Sequence, residues 1–120
     1  MRGLRMRWNF AFDEDGFLEV VDDGSMSENV KDGLETVAFP FGNDVQMVES
    51  YLKEWRKLEE EFGFDYSLNT SSAHITRIDR QVVKVVDMYD QFEDFQYRAE
   101  DFVQFLEEFA SYLKSLEVGS

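Results

Sequence analysis

The sequence predicts an α+β fold: one acidic domain over residues 1–120, mainly antiparallel sheet, with two amphipathic helices at about 43–62 and 99–116. Three observations carry this expectation. A period-two segment lies near the start, two segments place apolar residues at helical spacing, and the stretch between those helices is dense in β-branched and aromatic residues. The length of 120 residues suits a single domain, and 12 Phe, 5 Tyr and 2 Trp supply a core despite a charged fraction of 32%.

Leu4, Met6, Trp8, Phe10 and Phe12 alternate with smaller or polar residues, which puts the large groups on one face of a strand. Asp13-Glu14-Asp15-Gly16 then reads as a hairpin turn, because Asp bonds to its own backbone and Gly accepts positive φ. A second strand follows over 17–21 and ends at Asp22-Asp23-Gly24-Ser25. Signals conflict from 26 to 42: Ser27 and Glu28 can open a helix, Gly33 interrupts it, and 34–39 is assigned to strand before Pro40. Asn43 is the expected N-cap of the first long helix, with Val45, Val48, Leu52, Trp55, Leu58 and Phe62 on its apolar face and Gly63 at its end. Its solvated face carries Glu49 and Lys53 in the favourable order for an i, i+4 pair.

Residues 73–97 admit two readings. Ile75, Ile78, Val82, Val85, Tyr89 and Phe92 fit a heptad, whereas β-branching restricts side-chain freedom in a helix and favours strands near 73–78, 82–89 and 93–97. Turns at Asp79-Arg80 and Asp90-Gln91 fit the strand reading. The last helix has Phe102, Phe105, Leu106, Phe109, Leu113 and Leu116 on one face and Glu100 and Asp101 near its positive N-terminal dipole.

The formal charge of −14 opposes direct binding of nucleic acid or anionic lipid, which relies on Lys and Arg. No apolar run reaches the roughly 20 residues of a membrane span, and the absence of cysteine excludes disulfides and thiolate chemistry, so a cytoplasmic setting is expected. His74 is the single histidine, beside Ser72 and Thr76 in sequence, which is not the spatial relay of a nucleophilic site. The acidic turn at 13–16 departs from a calcium loop at Ala11, Phe17 and Asp22, and no phosphate-binding glycine motif is present. No enzyme, metal or cofactor is therefore expected.

The segment from Asp87 to Tyr97 is both acidic and aromatic, and aromatics anchor interfaces while grouped carboxylates draw in a basic partner. Asp87, Tyr89, Asp90, Glu93 and Asp94 are the candidate partner-binding residues, against the plainer reading that Phe92, Phe95 and Tyr97 point inward and the acids merely outward. Arg2, Arg5 and Arg7 make the first twelve residues basic, so the acidic excess falls on the rest of the chain and repels itself unless it has a use.

Val82-Val83-Lys84-Val85-Val86-Asp87-Met88-Tyr89-Asp90, then Glu93-Asp94-Phe95, Glu100-Asp101-Phe102 and Phe105-Leu106-Glu107-Glu108-Phe109, resembles the strand, acidic turn, strand and C-terminal helix of bacterial immunity proteins. These are antidotes to polymorphic and contact-dependent growth inhibition toxins. The resemblance covers about the last 40 residues and implies a stoichiometric inhibitor of a basic toxin domain, often a nuclease, with no functional residue carried over by position. Competing expectations are a DNA mimic, a small acid–base enzyme built on paired carboxylates and His74, and an adaptor subunit that self-associates through a continuous 73–116 helix.

Overall fold

The computed structural model describes residues 8–21, 26–89 and 91–118. Its elements are β1 (Asn9–Phe12), β2 (Leu18–Val21), α1 (Glu28–Ala38), a 3-10 turn (Phe39–Phe41), α2 (Val45–Phe62), β3 (Tyr66–Ser67), β4 (Ala73–Arg77), β5 (Val82–Asp87), β6 (Phe95–Arg98) and α3 (Ala99–Val118). β1 and β2 form an antiparallel hairpin, and β3 to β6 form a four-stranded antiparallel sheet in sequence order. The α+β expectation is met, with one helix more than the sequence suggested.

That helix is α1, and it corrects the assignment of 34–39 to strand. The Ser27 hydroxyl accepts the Val30 N–H at 3.2 Å, and Leu34, Val37 and Ala38 are then buried on one face with Gly33. Pro40 falls in the 3-10 turn that closes the segment. The glycine that looks like an interruption is a packing site: a Cβ at Gly33 would lie 2.1 Å from Phe95 Cε1, so only glycine lets α1 lie against the β6 side chain.

Elsewhere the elements fall close to where the residue pattern puts them. Trp8, Phe10 and Phe12 share one face, while residues 4–7 and 22–25 lie outside the described residues. The Asp13 carboxylate accepts the Asp15 and Phe17 amides, each at 2.9 Å, and Gly16 takes φ +85°. Asp44, not Asn43, caps α2 by accepting the Gln46 and Met47 N–H groups at 3.0 and 3.4 Å. Glu49 does not pair along its own helix; it meets Lys114 of α3 at 2.6 Å.

Within residues 73–98, Ala73–Arg77, Val82–Asp87 and Phe95–Arg98 are strands, so the heptad offers no continuous helical seam. Ile75 pairs with Val85 and Val83 with Tyr97, which aligns the apolar residues of three strands on the inner face. That face, α2, α3 and the hairpin share one core. Trp55 stands within it, its ring centroid 5.1 Å from Tyr66 and 5.2 Å from Phe102, while Phe10 packs on Phe105, Phe109 and Tyr112 of α3. Among the described residues no helix is long and apolar enough to cross a membrane.

Candidate functional site

Of the residues singled out around the β5–β6 loop, Asp87 is turned onto its own backbone. Its carboxylate accepts the N–H groups of Tyr89 (3.0 Å), Phe92 (2.9 Å) and Gln91. Desolvation works against the charged form, but these amides together with that of Met88 outweigh it and hold the carboxyl below its ordinary value. Asp87 is thus the residue that shapes the loop. Asp90 lies outside the described residues.

A second clasp ties the loop to α1. The Asn29 side chain accepts the Glu93 N–H and donates to the Glu93 carbonyl, both at 2.7 Å, and Gln91 Oε1 lies 3.4 Å from the Thr36 hydroxyl. Asn29, Asp32 and Thr36 recur at helical spacing, so the loop runs along one side of α1. Glu93 and Asp94 are exposed, and among the described residues neither they nor Asp32 forms an ion pair. All three carboxylates are exposed.

Tyr89 completes a cavity of about 600 Å³ between this loop, α1 and the hairpin. Its mouth carries three aromatic rings that a soluble domain ordinarily covers: Phe17 is 52% exposed, Phe39 56% and Tyr89 63%. Phe17 and Phe39 stack with centroids 5.7 Å apart and planes 19° from parallel. Asp32 and Glu35 line the same cavity. Burial pushes the Glu35 carboxyl above its ordinary value, and the Val20 N–H, which it accepts at 2.7 Å, together with Lys31 offsets only part of that effect. A half-buried carboxyl, the exposed carboxylate of Asp32 and three exposed rings therefore line one cavity.

Phe17, Phe39, Asp32 and Glu35 were not among the sequence candidates. Phe17 carries the legible signal, since it stands out of phase with inward-facing Leu18 and Val20. Phe39 offers none, because its exposure follows from where α1 ends. Ser72 and His74 diverge: the Ser72 hydroxyl donates to the Thr36 carbonyl at 2.7 Å inside the fold, whereas His74 is exposed on the outer sheet face. Among the described residues no group of three His, Asp or Glu side chains is arranged to hold a metal ion. Comparison with protein families, curated proteins and solved structures returned no match.

Proposed function

We propose that this chain is a stoichiometric protein-binding module that neutralises a basic partner, and that the partner is a toxin domain such as a nuclease. The observation that carries the reading is the exposed ring cluster of Phe17, Phe39 and Tyr89 over a cavity edged by carboxylates. Rigid aromatic rings in a dry central patch supply most of the affinity of protein interfaces, and surrounding charge mainly accelerates and orients the encounter. The C-terminal resemblance to immunity proteins supplies the toxin. Asp87 serves this function by holding the loop, while Tyr89, Glu93 and Asp94 would touch the partner and Asp90 belongs to the same acidic segment.

The test begins with recovery of a partner from source cells at low salt. One basic protein retained at one-to-one stoichiometry, with an association rate that drops steeply as salt rises, is the expected result. Tyr89→Ala and Phe39→Ala should each weaken that complex by about 2 kcal/mol or more. Unchanged affinity in both variants would dismiss this face as the interface. Displacement of many DNA-binding proteins from DNA would instead favour the mimic reading.

A further inference from the structure

The four arginines among the described residues converge. Arg56 from α2, Arg77 from β4, Arg80 from the β4–β5 turn and Arg98 from β6 all line one groove of about 830 Å³, which shares no residue with the aromatic cavity. Glu59, Glu100 and Glu107 line the groove as well, which leaves one positive charge in excess where the chain as a whole has 26 acidic residues and 12 basic ones. Ala99 and Glu100 also line the groove, so the N-terminal end of a 20-residue helix, with its partial positive charge, opens into it.

The arginines divide by how firmly they are held. Arg77 is 92% buried, being 8% exposed, and is fixed by Glu59 at 2.7 Å, the Tyr66 hydroxyl at 2.9 Å and the Arg80 carbonyl. Its Nε is buried without a hydrogen-bond partner. Arg80 has no carboxylate within ion-pair distance among the described residues, and its guanidinium rests 5.7 Å from the centre of the Phe64 ring. Arg56 and Arg98 pair with Glu107 and Glu100, but all four side chains are about half exposed or more. Such exposed pairs contribute little and exchange readily for a stronger anion.

We propose that this groove binds a phosphorylated small molecule of nucleotide size. The guanidinium forks of Arg80, Arg98 and Arg56 would hold its phosphates, since that planar geometry matches phosphate oxygens in pairs. Arg77, already paired with Glu59, makes a rigid wall behind them. The volume lies within the range of small-molecule sites and far exceeds one phosphate, and half-buried Val82 and Val103 give the rest of the ligand an apolar wall. The absence of a glycine-rich phosphate loop is no obstacle, because arginine side chains take its place here.

Calorimetric titration of the full chain with ATP, and separately with inorganic pyrophosphate, tests this. Saturable one-to-one binding is expected, tighter for ATP, with Arg80→Ala and Arg98→Ala each weakening it by about tenfold or more while circular dichroism stays unchanged. Glu100→Gln should tighten binding, because it removes the carboxylate that competes for Arg98; a merely structural role for these arginines would not produce that gain. Lys31→Ala, outside the groove, should have no effect. The proposal is overturned if ATP shows no saturation up to about 5 mM, if the arginine variants bind as well as the parent, if Lys31→Ala weakens binding equally, or if pyrophosphate binds as tightly as ATP. Binding of a poly-glutamate peptide but not ATP would also overturn it, in favour of an acidic protein segment.

Discussion

Gly33 and Phe95 occupy what would otherwise be the same space: the aromatic ring of β6 fills the volume that any side chain on that turn of α1 would take. In an exposed helix, alanine in place of glycine would stabilise by about 1 kcal/mol. Here the overlap at 2.1 Å reverses the sign, and Gly33→Ala should destabilise by about 1–3 kcal/mol in urea denaturation. Phe95→Leu should recover part of that loss in the double variant, giving a coupling that separate sites do not show. A stabilised Gly33→Ala protein would contradict the packing described.

Glu108 joins the two ends of the described chain. Its buried carboxylate accepts the Trp8 N–H at 3.1 Å and the Gln104 side-chain amide at 2.8 Å, anchoring the hairpin on α3. Glu108→Ala leaves a buried amide without that acceptor and should cost about 1–3 kcal/mol. Glu108→Gln keeps a carbonyl oxygen for Trp8 and should cost less. Equal losses in the two variants would show that charge rather than the hydrogen bond matters.

Two carboxyls should shift stability with pH in opposite directions. Asp87 is held below its ordinary value of 3.8, so the folded state gives up this proton more readily than the unfolded chain. Its contribution is present above the ordinary value and is lost as pH falls through the folded one. The stability gap between the parent and Asp87→Asn, about 1 kcal/mol near neutrality because the group is only partly shielded, should therefore close in acid.

Glu35 is held above its ordinary value of 4.5, so the folded state keeps the proton longer and stability declines as pH rises from that value through the folded one. Glu35→Gln removes this decline, and its stability relative to the parent should rise across the same window. Chemical denaturation at a series of pH values reads both variants, and parallel curves for parent and variant would refute either assignment.

The exposed rings should matter to the fold hardly at all. Phe39 and Tyr89 are more than half exposed, so Phe39→Ala and Tyr89→Ala should leave unfolding free energy within about 0.5 kcal/mol of the parent. Losses several times larger would mean that these rings stabilise the domain itself, and would remove the reason to regard them as an interface.

Local chemistry determined most of the elements. Alternation around Trp8 and Phe10, apolar spacing around Trp55 and Phe105, and β-branching from Ile75 to Val86 each specify a conformation through neighbours in sequence. The region from 34 to 39 was not legible in the same way, because Gly33 is costly in a helix until Phe95, some sixty residues later, needs its space. The loop acids show the same division. Their charge could be read directly, but Asp87 looks like Asp94 in sequence, and only the folded turn directs one at backbone amides and leaves the other exposed. The aromatic mouth and the arginine groove lay beyond the sequence for one reason. Each gathers side chains from three or more elements whose proximity depends on long-range packing, and no local pattern encodes which exposed residues that packing brings together.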